Sequence, residues 1–322
     1  MSDTAVESET QNPRPELLDR ICHVLDTTQT IHYAPSLQAT RPPIVTKDAI
    51  LQAQDLSPHR INNSYLLELT PTQLLKVGPS HRVQLSEAEA MILARQQTAL
   101  PIIPRVFNAY LIDDIGFILM EKLPGDQLDD SWEGLSRAMK VSVAEQLRGY
   151  VEAWRRIRGP FYGAVDGGPC LDVVFHHPWE NVRYAYGPFG SRREFNRGLV
   201  EALRNSRPGG RLSGRDEGFV EMVLEAGVGL GDAEGEGEGD EEVKVLTHGD
   251  LHPSNILVRD GVITGIVDWG AAGYSVPERE YFCMRWSALD PEWIELLTTV
   301  LPDDGYEFWK ELNYQMMAYT CI

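Results

Sequence analysis

The stretch from Leu246 to Gly270 (LTHGDLHPSNILVRDGVITGIVDWG) constrains this chain more than any other part of it. Asp260-Gly261 stands between two apolar runs, and Asp-Gly supplies the positive φ angles of a type I′ turn, so Val258 to Val262 reads as the tip of a tight hairpin. With Asp260 and Gly261 as the two turn residues, Asn255 falls opposite Ile266, and Asp268 lies two residues further on at the same open end. Asp250, five residues before Asn255, lies on the turn leading in. Carboxylates and amides beside apolar strands are costly when uncompensated. At ~3.3 Å rise per residue and ~4.8 Å between strands, the two backbones are roughly 8 Å apart, a gap that two side chains can close around one cation with ligand bonds of ~2.1 Å. The segment therefore reads as a metal-and-base site. An ordinary β-hairpin with a few polar residues is the plain alternative.

The order His248-x-Asp250-x₄-Asn255-x₁₂-Asp268-Trp269-Gly270 is the pattern of phosphoryl transfer: a catalytic-loop Asp, an Asn five residues on, and a metal-binding Asp before an aromatic residue and Gly. That chemistry needs magnesium on the phosphates, a carboxylate to orient and deprotonate the attacking hydroxyl, and cations against the developing charge.

The form of the motif, His248-Gly249-Asp250-Leu251-His252-Pro253-Ser254-Asn255, resembles the aminoglycoside phosphotransferase and choline kinase group of small-molecule kinases. Protein kinases place Arg after the His and commonly Lys two residues after the Asp, where this chain has Gly249 and His252. Trp269 stands where protein kinases have Phe. The resemblance runs from about Arg60 to about Trp286. It implies that Asp250 is the catalytic base, that Asn255 and Asp268 are magnesium ligands, and that His248 braces the loop by hydrogen bonding without entering proton transfer.

Upstream, Tyr65–Leu69 and Leu74–Gly78 read as strands, with Lys76 the only lysine in a strand-like stretch before the hinge. A lysine in an apolar strand ordinarily snorkels to solvent, but a kinase needs a strand lysine on the nucleotide phosphates and a helical Glu to pair with it. The helix opening at Leu85-Ser86, with Ser86 as its N-cap, carries two candidates, Glu87 and Glu89. Glu87 is preferred because it precedes Met91 and Ala94 at helical spacing, and an exposed acid in a first helical turn is the plain alternative for either. Pro101–Val106 and Gly116–Glu121 read as further strands. Met120-Glu121-Lys122-Leu123-Pro124-Gly125 resembles the hinge of this family, where the carbonyl of Glu121 and the N–H of Leu123 would meet the adenine edge.

The resemblance has one departure. No G-x-G-x-x-G precedes Lys76, and Ser57–Ser64 occupies the place of the phosphate-covering loop. Beyond Gly125 the spacing predicts helices over Ser136–Arg158, Ser191–Arg204 and Asp216–Leu230, then near 278–288, 291–300 and 304–319. Glu278 and Glu280 lie where related enzymes place substrate-facing acids, and where a helix N-terminal turn would also place them.

These elements imply an α+β, two-lobed protein-kinase-like fold with a small antiparallel β N-lobe and a larger, mostly helical C-lobe. The expected division is a partly disordered N-terminal extension over 1–40, an N-lobe over 41–122 and a C-lobe over 123–322. Within the last, the Gly-Glu alternation of 231–242, with seven acids in eleven residues, reads as a disordered insertion. A net charge of −19 argues against nucleic acid as a partner. No apolar run approaches the length of a membrane span, and the four cysteines have no metal-site or disulfide spacing. A cytoplasmic protein is expected.

The function implied is ATP- and Mg²⁺-dependent phosphorylation of a hydroxyl group on a small molecule. Its rivals are a pseudokinase, a nucleotide-binding or interaction module without turnover favoured by the missing Gly-rich loop, and a protein kinase disfavoured by Gly249 and His252. Acceptor identity and oligomeric state are not legible in the sequence.

Overall fold

A computed structural model describes residues 14–27, 30–57, 64–175, 184–214, 216–227, 243–286, 290–299 and 305–317. The expected phosphate-covering loop lies outside these residues except for Ser57 and Ser64. The expected acidic insertion at 231–242 and Cys321 lie outside them entirely. The chain divides into two units, one of residues 1–85 with 106–122 and one of 86–105 with 123–322.

The smaller unit is a six-stranded antiparallel sheet in the order β1-β5-β6-β4-β3-β2. It holds helix α1 (Arg14–Asp26), β1 (Ile31–Tyr33), α2 (Lys47–Gln52), β2 (Gln54–Asp55), β3 (Tyr65–Thr70), β4 (Gln73–Pro79), β5 (Val106–Ile112) and β6 (Ile115–Glu121). Alternation places Leu75 and Val77 of β4 in a core shared with Leu67, Tyr110, Phe117 and the α1 residues Leu17, Ile21 and Val24. Tyr110 stacks on Phe117 at 4.8 Å, and its hydroxyl accepts the Val45 amide at 3.0 Å. Residues 14–37, part of the expected N-terminal extension, supply a helix to this sheet's core and a strand to its edge. The expected strand at Pro101–Val106 is irregular instead, and β5 begins at Val106. Pro101 and Pro104 have no amide hydrogen to give a ladder.

The larger unit is mostly helical. It takes α3 (Leu85–Thr98) from the second residue of that helix, then β7 (Asp126–Gln127), α4 (Leu128–Ser131), α5 (Arg137–Trp154), α6 (Arg192–Asn205), α7 (Glu217–Glu225), β8 (Val245–Thr247), β9 (Ile256–Arg259), β10 (Val262–Ile266), β11 (Gly273–Ser275), α8 (Glu278–Trp286), α9 (Pro291–Leu297) and α10 (Tyr306–Met317). Ser136 caps α5 by accepting the Met139 amide. Ser191 and Glu194 close a capping box on α6, an arrangement in which two otherwise orphaned amides are satisfied together. Ser86, expected as an N-cap, is the second residue of α3, and its hydroxyl donates to Asp166 Oδ2 at 2.8 Å. The helical core gathers Phe175, Phe195, Leu199, Phe282 and Trp309. A buried ion pair joins Arg279 to Asp172 through Nε–Oδ2 at 2.7 Å and a second contact from Nη2 to Oδ1. Among the described residues, no helix is long and apolar enough to cross a membrane.

Candidate active site

Strand β8 delivers the chain to His248, and its pairing with β11 fixes the approach: Thr247 lies opposite Gly273, and Thr247 Oγ1 donates to the Gly273 carbonyl at 3.2 Å. His248 is fully buried. Its Nε2 donates to the Val267 carbonyl at 3.0 Å while Nδ1 accepts the Asp250 amide at 3.3 Å. Burial pushes the imidazole pKa down to about 4, so the ring stays neutral and can fill both roles. The ring meets Trp269 edge-on at 4.8 Å. These bonds match the bracing role that the motif implies.

Gly249 adopts φ +79°, and a Cβ there would stand 2.3 Å from the Ala271 carbonyl oxygen. The residue must be glycine for both reasons. The loop carrying Asp250 therefore has a steric cause for departing from the His-Arg-Asp form. Asp250 is partly exposed, with its side chain 43% accessible.

Asn255 ends a 3₁₀ turn (Pro253–Asn255) and is 5% exposed. Its Nδ2 donates to the Asp250 carbonyl at 2.8 Å and lies 3.5 Å from Asp250 Oδ2. With the nitrogen so engaged, Oδ1 is the amide atom left for a hard cation. His252 Nε2 is 3.7 Å from Asp250 Oδ2, a contact that raises the His252 pKa. Gln127 holds the same segment by donating to the Ser254 carbonyl at 2.7 Å, and the Ser254 hydroxyl donates to Asp129.

The hairpin has the expected turn, with φ +53° at Asp260 and +74° at Gly261, but not the expected register. A bulge at Thr264 pairs Gly265 with Leu257 and Ile266 with Ile256. Asn255 therefore faces Val267, whose amide donates to the Asn255 carbonyl at 2.9 Å, and not Ile266. The extra residue brings Asp268 one step closer to Asn255 along the strand. Thr264, freed from the ladder, donates its hydroxyl to the Pro124 carbonyl.

Asp268 itself is left-handed, φ +63° and ψ +62°, a conformation that costs most residues energy and that Asp tolerates better than most. Backbone strain of this kind is characteristic of functional positions. Trp269, fully buried, anchors the turn by donating Nε1 to the Ile266 carbonyl at 3.0 Å. Glu87 reaches the same place: an ideal Cβ on Gly270 would lie 3.5 Å from Glu87 Oε2 and 3.6 Å from Asp268 Oδ1. Glu87 and Glu89 are both buried, which removes the exposed first-turn alternative.

Lys76 and Glu121 belong to the sheet unit. Lys76 lies at the middle of β4, paired with Leu66 and Ile118, and Glu121 ends β6 opposite Gln73. Leu123, buried, begins the second segment of the larger unit.

Sequence reasoning missed the group that organises the loop from below. Glu280 is not substrate-facing. It is fully buried, and its Oε2 accepts the His248 amide at 2.9 Å. Its one sequence signal was an acid leading directly into the apolar run Tyr281–Met284. Glu278 pairs with Arg192, whose Nη1 and Nη2 are each 3.2 Å from Oε1.

The donor set fits magnesium. Asn255 offers an amide oxygen and Asp268 a carboxylate, both hard ligands, and magnesium is commonly held by one or two protein groups with phosphate oxygens and water completing the shell. Among the described residues, no cluster of three or more His, Cys, Asp or Glu is arranged to hold a metal by itself.

In three dimensions the chain is similar to APH(2'')-IIa in its ternary complex with streptomycin and ATP, at 15% identity, 86% of this chain, 83% of that chain and a TM-score of 0.53. It is similar to the gentamicin complex of the same enzyme at 15% identity, 84% and 83% coverage and 0.52. A thermostable mutant of aminoglycoside phosphotransferase APH(4)-Ia, in ternary complex with ADP and hygromycin B, follows at 16%, 84% and 82%, and 0.50. The fold is thus the two-lobed protein-kinase-like fold of these phosphotransferases, with the antiparallel sheet and the mostly helical unit expected. Residues 53–312 match the phosphotransferase enzyme family, and the chain belongs to that family. No curated protein matches it by sequence.

Proposed function

We propose that this protein catalyses ATP- and magnesium-dependent phosphorylation of a hydroxyl group on a small molecule. The observation that carries the reading is the junction of loop and hairpin. Asn255 bonds back to Asp250 through Nδ2, and the Thr264 bulge draws Asp268 toward the same end.

In this reading Asp250 accepts the proton of the acceptor hydroxyl as its oxygen bonds to the γ-phosphorus, and the bond from that phosphorus to the departing ADP oxygen breaks. Asn255 and Asp268 would hold magnesium, which offsets phosphate charge. Lys76 supplies a cation for the phosphates, Glu87 the acid that orders it, and the backbone of Glu121 and Leu123 the contacts to adenine. His248, buried and neutral, holds the loop and takes no proton.

Streptomycin, gentamicin and hygromycin B, bound by the structural neighbours, make aminoglycosides the first acceptors to test. The net charge of −19 suits a polycation. A panel of aminoglycosides and hydroxylated metabolites, with ATP and magnesium and phosphorylated product read by mass spectrometry, tests the proposal. A product with one added phosphate, formed at a far lower rate by Asp250→Asn, supports it. ATP binding without transfer to any acceptor or water favours the pseudokinase reading.

A further inference from the structure

Ser86 stands in the first turn of α3, one residue before Glu87, and is 8% exposed. A serine near a helix start ordinarily bonds to backbone groups close by in sequence. Here the hydroxyl crosses to Asp166 Oδ2 at 2.8 Å, 80 residues along the chain. Asp166 is shaped for that contact. Its Oδ1 accepts the Gly168 amide at 3.1 Å, and the Gly167 amide donates to the Ala164 carbonyl at 3.0 Å. One carboxylate oxygen closes the turn and the other meets α3.

The same turn is fastened to the segment that carries Asp268. Gly163 and Tyr274 exchange both backbone hydrogen bonds, at 3.0 and 2.8 Å, and a Cβ on Gly273 would lie 2.6 Å from the Gly163 carbonyl oxygen. Tyr274 belongs to β11, which follows the Trp269–Ala271 turn. The circuit closes through Glu87, whose Oε2 lies 3.5 Å from the Cβ position of Gly270, with Asp268 Oδ1 at 3.6 Å from that point. Two carboxylates that converge on one point repel each other, so their spacing depends on how firmly each is held from behind. The buried apolar side chains nearest Glu87 on α3 are Ala88, Ala90 and Met91. Methyl groups key a helix weakly against sliding, whereas a hydrogen bond is directional.

We propose that Asp166 is a positioning residue of the phosphoryl-transfer centre: through Ser86 it fixes the first turn of α3 and so sets Glu87 against Asp268. The inference rests on the phosphotransferase reading, in which Glu87 orders the phosphate-binding lysine and Asp268 holds magnesium. Asp166 acts through Ser86 and Glu87, not by contact with the reacting groups.

Ser86→Ala is the mildest test, since alanine is the better helix former, and circular dichroism should show the variant folded. Without nucleotide, hydrogen–deuterium exchange of the full chain should rise in the first turn of α3 and also across residues 268–275, with α5 unchanged. Calorimetric titration of ATP with magnesium should show affinity about tenfold weaker than the parent's for Ser86→Ala and for Asp166→Ala. The double variant should be no weaker than either, as expected within one hydrogen-bonded network. Asp166→Asn should bind like the parent, because its amide oxygen can take the Gly168 amide while its NH₂ donates to the Ser86 oxygen. In a Glu87→Gln background, Ser86→Ala should cost no further affinity, a result that a general loosening of the helix would not give. Faster exchange confined to α3, unchanged ATP affinity in Ser86→Ala, or an equal loss in the Glu87→Gln background would each overturn the proposal and leave the phosphotransferase reading standing. A parent that binds no ATP with magnesium would overturn that reading, and this proposal with it.

Discussion

The His248 amide donates to Glu280 Oε2 at 2.9 Å across 32 residues of chain, wholly out of solvent. The loop carrying Asp250 is thus suspended from the first turn of α8 as well as from the hairpin. Burial raises the Glu280 pKa from 4.5 to about 7, against the lowering effects of the Arg155 charge and the His248 and Gly249 amides. Its second oxygen, Oε1, is buried with no partner.

A stability consequence follows. An acid whose pKa is higher folded than unfolded binds more protons in the native state, so stability falls as pH rises between the two values. For Glu280 that window runs from about 4.5 to about 7, and the full penalty, on the order of 3 kcal/mol, is present above it. Glu280→Gln keeps an oxygen for the His248 amide and removes the titration. Urea unfolding of both proteins at pH 5 and pH 8 checks this: the parent should lose more stability than the variant over that interval. A difference between the two that does not change with pH would remove Glu280 as the source.

Gly249→Ala tests the loop from the other side. A left-handed non-Gly residue costs roughly 1–3 kcal/mol, and here the added Cβ also meets the Ala271 carbonyl oxygen at 2.3 Å. That neighbour is backbone and yields only by moving β11 or the Trp269–Ala271 turn. The expected loss is about 3 kcal/mol or more, measured as a shift of the denaturant midpoint at unchanged slope. A variant as stable as the parent would mean the turn is far softer than its contacts imply.

Asp250→Asn isolates the proposed base. The Asp250 backbone carbonyl that accepts Asn255 Nδ2 is untouched by the change, so the loop should persist. Turnover should fall by ~10² to 10⁴, the usual contribution of positioned general-base catalysis, while nucleotide affinity by calorimetry stays within a few-fold. Near-parent turnover would take Asp250 out of the role.

Much of this was legible in local sequence because the decisive signals were local. Asp260-Gly261 dictates its turn whatever surrounds it, and the helices opening at Ser136 and Ser191 are announced by apolar spacing within their own residues. What was not legible depends on distant partners. The Thr264 bulge is stabilised by Pro124, 140 residues away, and a Cβ on Gly265 would lie only 3.0 Å from Leu123 and from Leu257. No hairpin rule contains those contacts, so the register came out one residue short. Strand β1 is three residues long and finds its pair in β5 about 80 residues later. Glu280 read as a substrate-facing or first-turn acid because nothing near it in sequence revealed the buried amide it serves.

The metal pair decides between an enzyme and a nucleotide-binding module. Asn255 and Asp268 reach the same end of the hairpin by different means, one through the 3₁₀ turn locked to Asp250 and the other through the bulge and its left-handed backbone. A carboxylate contributes more than a neutral amide to a hard divalent cation. Asp268→Ala should therefore abolish the strengthening of ATP binding by magnesium, and Asn255→Ala should reduce it to a lesser degree. Removing Asn255 also frees the Asp250 carbonyl from its 2.8 Å bond, so that variant should lose turnover by more than its loss of magnesium linkage explains. Calorimetric titration of ATP, with magnesium and then with chelator, gives the linkage for the parent and both variants. If the parent binds ATP equally well in chelator, or does not bind it, these residues do not form a working phosphoryl-transfer centre and the module without turnover is the better reading.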